Sequence, residues 1–480
     1  MAWNPELEKS FTPRSIAVLG ASRSRMRGGG NQFIWSILSM GYEGNLYPIN
    51  PVAEEVLGLK CYPSLASLPE TPDLVIMAVN ASRAEAALQE CIDRGAHNIH
   101  MFTAGFAETG EEEGAALAEK LREIAARGKL NIVGPNCMGI YSPRGRISPW
   151  GPLPAEVGPI AMITQSGALG SEFVRMAPDY NLRMSKVISF GNGYVLDSTD
   201  YLEYFENDPE TKFIGMYLEG VRDGPKLLRM VQRIAPKKPI VILKGGLTAA
   251  GARAVASHTG SLAGQDAVWG AFFAQSGAIR VDSIEEMVDT LQALVRLPPC
   301  TGRGAALIGS AGGNGVITTD ICVREGLFVP DISEDIQKEL RGFVGVAGTS
   351  VRNPLDVAMQ LRGAEDFIRV VDIVAKDPAI DILLMTAQVF PRNLPWWGSA
   401  RDLAKYFIRF AKKPHRQPFV VAMRCTSERL ATEKDRLQVS ARLLKAGIPV
   451  FKTMERACRA LYKFTGYYRW LEEQDQSPDA

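Results

Sequence analysis

The chain has 480 residues, 46% of them hydrophobic and 22% charged, and its 54 basic and 53 acidic side chains leave a net charge of +1. This length exceeds one ordinary hydrophobic core, so we expect several domains. The balanced charge gives no electrostatic attraction to nucleic acid or to an anionic membrane. No apolar run has the length of a membrane span, and the N-terminus lacks the regions of a signal peptide.

Seven cysteines are scattered along the chain, and no two have the spacing of metal ligands. This pattern predicts free thiols in a reducing compartment, so we expect a cytoplasmic protein without a metal site of its own. Cys137 lies in a predicted loop, where a thiol either has a chemical role or is inert.

Apolar strands alternate with helical patterns through the chain, which predicts an α/β fold with parallel sheets covered by helices. One device recurs three times: an apolar strand, a turn rich in Gly, Ser or Ala, and then a helix. Each repeat is predicted to open its own doubly wound domain. The three repeats are residues 15–22, 160–170 and 305–315.

Breaker clusters at residues 142–152 and 297–302 separate the three repeats. The predicted domains are therefore residues 1–148, 149–298 and 299–470, followed by a polar tail at 471–480 that we expect to be frayed. Further strands are predicted near residues 44–48, 74–79, 98–102, 131–133, 186–190, 213–218, 239–243, 380–385, 419–423 and 449–451.

The first turn, Gly20, Ala21 and Ser22, lies where the start of a helix can bind phosphate. Its glycines lack dinucleotide spacing, and the second strand ends near Asn50 without the acidic residue that binds the ribose of NAD. The turn therefore favours a nucleotide whose ribose carries phosphate, with Arg25 as a candidate countercharge. A solvated loop arginine and a nicotinamide-dependent dehydrogenase are the alternatives at this turn.

The second and third turns are predicted to bind a phosphate. Ser166 is expected to cap a helix that begins at Gly167, and the third turn leaves a helix start free of bulky side chains. Such helix N-termini are anion sites, although ordinary strand-to-helix connections have similar sequences. The residues of the third turn are Gly312, Gly313, Asn314 and Gly315.

His258 is one of four histidines and lies among small residues, in a segment that we predict to be a loop. A loop histidine together with two phosphate-binding turns predicts a nucleophile that carries a phosphoryl group, whereas a histidine capped by neighbouring hydroxyls is the alternative. A carboxylate would hold the second ring nitrogen. Glu219, at the carboxyl end of a strand, is the candidate, and a salt bridge to Arg222 is the alternative role for it.

In this combination and order, the motifs resemble the acyl-CoA synthetases that form a nucleoside diphosphate, close to the ADP-forming acetyl-CoA synthetases and related to succinyl-CoA synthetase. The resemblance extends over nearly the whole chain. The segments that carry it are residues 20–22, 48–51, 103–108, 134–139, 165–168, 217–220 and 257–260.

The resemblance implies a Rossmann-like CoA-binding domain followed by two flavodoxin-like ligase domains. It implies that His258 is a phosphohistidine with Glu219 as its carboxylate partner, and that residues 312–315 complete the phosphate site. The positions that match those near CoA are Gly20, Ala21, Ser22, Asn50, Val79, Ala104 and Asn136.

The resemblance also implies a partner, because family members exchange phosphate through an ATP-grasp domain for which this chain has no room. The chain thus resembles an alpha-type subunit that joins a separate ATP-grasp beta subunit in a heterotetramer. ATP or ADP and Mg²⁺ are expected on that partner, with CoA and a carboxylic acid as the other substrates. A non-catalytic CoA-sensing subunit on the same fold is the alternative.

Two positions depart from the family's pattern. Asn80 lies where relatives often have proline, and Tyr194 follows Gly193 where the residue is usually small. The bulky Tyr194 either reshapes an acyl pocket or packs at the surface.

Overall fold

The computed structural model describes residues 5–22, 29–259, 266–309, 312–345, 349–357, 363–391, 400–414 and 416–475. The chain divides into two compact units. The first unit contains residues 1–178 and 182–284, and the second contains residues 179–181 and 285–480. No helix within the described ranges combines the length and the apolar character that crossing a bilayer requires.

The first sheet of the first unit is a parallel, doubly wound sheet. The chain leaves its first strand toward one side and then returns to the other side, which creates a crevice at the carboxyl end of that strand. The elements are α1 (Pro5–Glu8), β1 (Ser15–Leu19), α2 (Gly30–Ser39), β2 (Asn45–Ile49), β3 (Glu55–Val56), β4 (Leu59–Lys60), β5 (Leu74–Met77), α3 (Ala84–Arg94), β6 (Asn98–Met101), α4 (Glu112–Gly128) and β7 (Asn131–Val133). The strand order is β2-β1-β5-β6-β7, and β3 pairs with β4 alone.

The second sheet of this unit has the same type of winding. Its elements are β8 (Gly139–Tyr141), β9 (Ile160–Thr164), α5 (Gly167–Met176), β10 (Met184–Ser189), α6 (Ser198–Asn207), β11 (Phe213–Leu218), α7 (Gly224–Ile234), β12 (Ile240–Lys244), α8 (Ala249–Thr259), α9 (Asp266–Ser276) and β13 (Ile279–Val281). The strand order is β13-β12-β11-β9-β10-β8. The direction of winding reverses between β9 and β11, so the carboxyl ends of these two strands form the second crevice.

Strand β8 is a feature that the sequence analysis did not predict. It precedes the predicted domain boundary at residue 148, yet it pairs antiparallel with β10, where Tyr141 lies opposite Val187. The Tyr141 hydroxyl donates to the carbonyl of Pro154 at 2.6 Å and so ties this edge strand to the following segment. The segment that follows the last strand of the first sheet therefore forms the edge strand of the second sheet.

The second unit contains a parallel sheet of four strands among the described residues, in the order β14-β15-β16-β17. Its last helix extends through Asp475 and is anchored by the buried Leu461, Phe464 and Tyr467, so the first residues of the predicted frayed tail are helical. The rest of that tail, residues 476–480, lies outside the described residues. The elements are α10 (Ile284–Arg296), β14 (Ala305–Ile308), α11 (Gly313–Arg324), α12 (Glu334–Arg341), α13 (Ala364–Val374), β15 (Ile382–Val389), α14 (Ala400–Ala411), β16 (Phe419–Cys425), α15 (Leu430–Lys445), β17 (Val450–Phe451) and α16 (Met454–Asp475).

Candidate active site

The turn after β1 is shaped by two glycines. Gly20 has a φ of +91°, and a Cβ atom on it would lie 2.2 Å from the carbonyl oxygen of Ala78. A Cβ atom on Gly30, at the start of α2, would lie 2.7 Å from the carbonyl carbon of Gly20. Only glycine permits this contact between the end of β1, the end of β5 and the first turn of α2. The crevice predicted for a nucleotide is therefore built from backbone.

Asparagine side chains hold this turn in place. The Asn50 Nδ2 atom donates to the carbonyl of Ala21 at 2.7 Å, and its Oδ1 atom accepts from the N–H of Val52 at 2.9 Å. Asn31, which the sequence analysis missed, accepts from the N–H of Ser22 at 2.8 Å. Its position in the first turn of α2 gave no distinctive signal. Asn50 is thus placed to order the turn rather than to offer a free amide.

The remaining positions predicted near CoA follow neighbouring strands. Val79, Ala104 and Asn136 come after β5, β6 and β7, at the carboxyl edge of the first sheet. The Thr103 hydroxyl donates to the carbonyl of Val79 at 2.8 Å, and the Asn136 N–H donates to the carbonyl of Thr103 at 2.9 Å, so these loops are mutually ordered. Arg25 lies outside the described residues.

Cys137, for which a chemical role and an inert thiol were the two alternatives, is buried. Burial raises the pKa of its thiol well above the ordinary value. The thiol therefore stays protonated and is a poor nucleophile. The structure favours the inert role for this cysteine.

The second turn begins α5 as predicted. Ser166 is the N-cap residue, and its hydroxyl accepts from the N–H of Leu169 at 3.3 Å. The Thr164 hydroxyl accepts from the Ser166 N–H at 3.1 Å and fixes the preceding backbone. The first N–H groups of a helix have no intrahelical partner, so those of Gly167 and Ala168 are suited to bind an anion.

Glu219 follows β11 at the carboxyl edge of the second sheet, and the residue is only 4% exposed. The side-chain oxygen of Gln165 accepts from the N–H groups of both Glu219 and Gly220. The Tyr217 hydroxyl donates to the Glu219 carboxylate at 3.1 Å. Burial, together with this carboxylate, raises the pKa of Tyr217, so the phenol remains a donor. The carboxylate is consequently held rather than solvated.

A buried lysine completes this edge of the sheet. Lys244, at the end of β12, donates to the carbonyl oxygens of Glu219, at 2.9 Å, and of Gly245. Its ammonium lies 5.2 Å from the centre of the Trp269 ring. Burial lowers the pKa of Lys244 to about 8, and the Glu219 carboxylate opposes this shift. Nothing in the strand pattern marked this lysine as part of the site.

The segment around His258 differs from the prediction. The backbone of His258 lies in the last turn of α8, so the expectation of a loop there was wrong. Alanine is the best helix former, and residues 249–256 contain five alanines, which explains the helix. The Thr248 hydroxyl accepts from the Gly251 N–H at 3.0 Å at the start of this helix. The side chain of His258 and residues 260–265 lie outside the described part of the chain.

Helix α8 runs beside the short helical turn Ala107–Thr109 of the first sheet's loops. In this region the Tyr194 hydroxyl accepts from the N–H of Ala107 at 3.2 Å and from the amide of Asn192 at 3.1 Å. Asn192 also donates to the Glu108 carboxylate at 2.7 Å. These contacts match neither of the two roles considered for Tyr194, which were packing at the surface and shaping an acyl pocket. The residue joins loops from the two sheets of the first unit.

The third turn lies in the second unit, at the start of α11. Gly312 is the N-cap residue with a φ of +49°, and its N–H donates to the Asp356 carboxylate at 3.1 Å. Arg424 donates to the Asn314 side chain at 2.9 Å and places a cation beside the helix start, a feature that sequence reasoning missed. Gly313 is exposed, whereas Gly315 is buried within the first turn.

A cavity of about 410 Å³ opens beside the start of α5. The first sheet's loops contribute Phe102, Asn136 and Met138 to its wall, and α5 contributes Gly167. Trp150, which the sequence analysis noted only as part of the breaker cluster at residues 142–152, also lines it. This volume falls within the range of about 300–1,000 Å³ that is typical of small-molecule sites.

Family models match three successive segments of the chain. A CoA binding domain matches residues 14–143, a succinyl-CoA ligase like flavodoxin domain matches residues 157–294, and a ligase-CoA domain matches residues 305–392. The alpha subunit of acetate–CoA ligase (ADP-forming) II from Pyrococcus furiosus is 35% identical over 458 residues, which cover 95% of this chain and 96% of that subunit. The chain belongs to the family of ADP-forming acyl-CoA synthetases.

Two further members show how widely the family's fold is shared. The 4-hydroxybutyrate–CoA ligase (ADP-forming) of Nitrosopumilus maritimus is 34% identical over 96% of this chain, which corresponds to 64% of that longer protein. The solved structure of dinucleotide-forming acetyl-coenzyme A synthetase 1 from Ca. Korarchaeum cryptofilum, in complex with phosphate and ADP, superposes with a TM-score of 0.83 at 30% identity over 98% of both chains. The predicted fold class and family are confirmed.

Proposed function

We propose that the chain is the alpha-type subunit of an acid–CoA ligase that reversibly converts a carboxylic acid, CoA and ATP to acyl-CoA, ADP and phosphate. The observation that carries this proposal is the second crevice, where Gln165 joins the start of α5 to the buried Glu219. A bare helix start binds a phosphoryl group, and a fixed carboxylate holds an imidazole for nucleophilic attack.

The chemistry proceeds through two covalent steps. A carboxylate oxygen of the acid attacks the phosphorus of phospho-His258, so that a P–O bond forms, the P–N bond breaks and an acyl phosphate results. The CoA thiolate then attacks the acyl carbon, which forms the thioester and releases inorganic phosphate. The N–H groups at the start of α5 stabilise the phosphoryl oxygens in both steps. Glu219 keeps the second imidazole nitrogen protonated and oriented.

CoA is assigned to the crevice of the first sheet. The backbone of Gly20, Ala21 and Ser22 faces the start of α2, where phosphate groups bind favourably. Asn50 holds this turn, while Val79, Ala104 and Asn136 line the same edge. Arg25 is the proposed countercharge to a phosphate. The nearby 410 Å³ cavity then lies where the thiol end meets the acyl group.

The ATP-dependent half of the cycle is assigned to a partner. The Pyrococcus furiosus relative is named as an alpha subunit, and the longer Nitrosopumilus maritimus ligase has about a third of its length beyond the part that this chain matches. We therefore assign ATP or ADP and Mg²⁺ to a separate ATP-grasp beta subunit in a heterotetramer. His258 would exchange its phosphoryl group between the two subunits, with residues 312–315 as the second phosphate-binding turn.

The two alternative functions are less well supported. Relatives over the full chain are named as ligases, which favours catalysis over CoA sensing alone. A nicotinamide-dependent dehydrogenase is disfavoured because the end of β2 has Asn50 instead of an acidic residue for the ribose. The Asn50 amide is hydrogen-bonded to the backbone of Ala21 and Val52. Titration with NADH would test that alternative directly.

The reverse half-reaction tests the proposal without the partner. Incubating the purified chain with phosphate and acetyl-CoA should release one CoA thiol per chain in a burst, because the acyl phosphate formed phosphorylates His258. Omitting phosphate should abolish the burst. Binding of CoA without any phosphate-dependent thiol release would instead support the non-catalytic alternative.

A further inference from the structure

The ammonium group of the buried Lys244 contacts two segments that the proposed chemistry has to bring together. It donates to the carbonyl oxygen of Glu219, at 2.9 Å, and to that of Gly245. Glu219 carries the proposed imidazole partner, and Gly245 begins the connection from β12 to α8, the helix that contains His258. One side chain therefore joins the strand end that carries the carboxylate to the chain that leads to the proposed nucleophile.

Further contacts tighten the same edge of the sheet. The N–H of Gly245 donates to the carbonyl of Leu218 at 2.9 Å, next to the last paired residues of β11 and β12. A Cβ atom on Gly245 would lie 2.6 Å from the hydroxyl oxygen of Tyr217, and that hydroxyl donates to the Glu219 carboxylate at 3.1 Å. A shift at the end of β12 would therefore displace the groups that hold Glu219.

The same ammonium contacts a third segment. It lies 5.2 Å from the centre of the Trp269 ring, within the distance of about 6 Å that is typical of a cation–π contact. Trp269 is a buried residue of α9, the helix that follows α8 along the chain. The chain before α8, at Gly245, and the chain after it, at Trp269, thus both contact Lys244.

We propose that Lys244 is a positioning residue for phosphoryl transfer, which holds α8 and its His258 in place relative to the Glu219 carboxylate. The proposal rests on the function proposed above. Lys244 acts through the main chain of Glu219 and through the Trp269 ring, not on the reacting atoms. A displacement of about 1 Å at a reacting group can slow a reaction on the order of 100-fold. Loss of the ammonium should therefore slow phosphoryl transfer.

Lys244→Met keeps the apolar stem and removes the ammonium. Labelling of the full chain by [³²P]phosphate at saturating acetyl-CoA should slow about 10- to 100-fold. The affinity for CoA, measured by calorimetry, should not change, because CoA is assigned to the first sheet. Lys238→Met is the matched control. Lys238 lies just before the other end of β12 and donates to the carbonyls of Phe205, at 2.6 Å, and Asp208, at 2.8 Å. This variant should label at the rate of the unmodified chain.

The pH dependence separates positioning by the ammonium from packing by the stem. Burial lowers the pKa of Lys244 to about 8, so the side chain loses its charge as the pH rises from 7 to 9. The labelling rate of the unmodified chain divided by that of Lys244→Met should therefore fall toward one over this range. Groups that both chains share affect both rates, so their titration cancels in this ratio.

The charged and ionisable groups around Lys244 are consistent with this assignment. The Glu219 carboxylate raises the pKa of Lys244 and so opposes the effect of burial. Burial raises the pKa of Tyr217, which stays protonated over this pH range. Arg280 and Asp266 form an ion pair at 3.5 Å. The described side chains of this kind on the elements beside Lys244 are Tyr217 and Glu219 at the end of β11, Arg253 on α8, Asp266 on α9 and Arg280 on β13.

Lys244→Arg provides the test in case Lys244→Met unfolds the chain. Arginine stays protonated throughout this range, so the rate of this variant relative to the unmodified chain should rise between pH 7 and pH 9. A Lys244→Met rate equal to that of the unmodified chain would overturn the positioning role, as would rate ratios that do not change with pH. Absence of phosphate-dependent label on the unmodified chain would instead contradict the function on which the proposal rests.

Discussion

Gln165 and Glu219 are joined by a hydrogen bond from the Glu219 N–H to the side-chain oxygen of Gln165, which also accepts from Gly220. Gln165 directly precedes the N-cap residue of α5, and Glu219 directly follows β11. This one amide therefore fixes a helix start and a buried carboxylate relative to each other across the second crevice.

Replacing Gln165 tests that relationship. In Gln165→Leu, the buried N–H groups of Glu219 and Gly220 lose their acceptor, so the free energy of unfolding should fall by about 1–3 kcal/mol. Guanidinium denaturation measures this loss, and Gln275→Leu, at an exposed position on α9, is the matched control. Equal stability of Gln165→Leu and the unmodified chain would show that these hydrogen bonds do not hold the crevice.

Glu219→Gln removes the charge of the proposed imidazole partner and keeps its shape. Labelling of the chain by [³²P]phosphate and an acyl-CoA should slow on the order of 100-fold, because the amide no longer stabilises the correct imidazole tautomer. The affinity for CoA should not change. Glu172→Gln, at an exposed position on α5, should label normally. Normal labelling of Glu219→Gln would return Glu219 to a structural role.

Gly20→Ala tests the backbone crevice of the first sheet. The added methyl would lie 2.2 Å from the carbonyl oxygen of Ala78 at a φ of +91°. Strain of about 1–3 kcal/mol in this turn, if CoA binding has to overcome it, corresponds to a loss of CoA affinity of roughly 5- to 150-fold. Calorimetry measures this change. Gly270→Ala is the control, since a Cβ atom there meets nothing within 4 Å, and unaltered CoA affinity in Gly20→Ala would place CoA elsewhere.

The buried His100 predicts a pH dependence of stability. Burial lowers its pKa to about 4, against an ordinary value of 6.5, and its ring packs against Gly139 and Phe33. The folded state therefore binds this proton less tightly than the unfolded state does. The stabilisation is complete above pH 6.5 and is lost progressively as the pH falls toward 4, by about 2 kcal/mol at pH 5.

Denaturant titrations at pH 7 and pH 5 check this sign. His100→Gln should lose less stability than the unmodified chain between these two values, since it has no imidazole to protonate. His97→Gln, at an exposed position directly before β6, should behave like the unmodified chain. An identical pH dependence in the His100 variant would mean that another group dominates acid unfolding.

The strand pattern predicted most of the architecture because fully buried parallel strands appear as short apolar runs, as at Ile160–Thr164. Strand β8 was missed because its three residues are bounded by turns and its partner lies beyond the predicted boundary. The helix through His258 was missed because small residues are common in both loops and helices. The alanines before His258 were the signal that could have decided between them.

The local structure of the candidate site was predictable where it depends on short motifs, as at Ser166 and Gly20. It was not predictable where it depends on contacts across the fold. Trp150 is a wall residue only because Gly170 and Arg175 on α5 approach it. Lys244 lies beside Glu219 because β12 is next to β11, and Arg424 lies beside the start of α11 because of its place at the end of β16. Spacing along the chain does not reveal either position.

The most direct test of the central claim is the site of phosphorylation. After incubation of the chain with [³²P]phosphate and an acyl-CoA, we expect an acid-labile, base-stable label that mass spectrometry places on His258. The label should be absent from His258→Ala and retained by His97→Gln. Undiminished acid-labile label on His258→Ala would contradict the account.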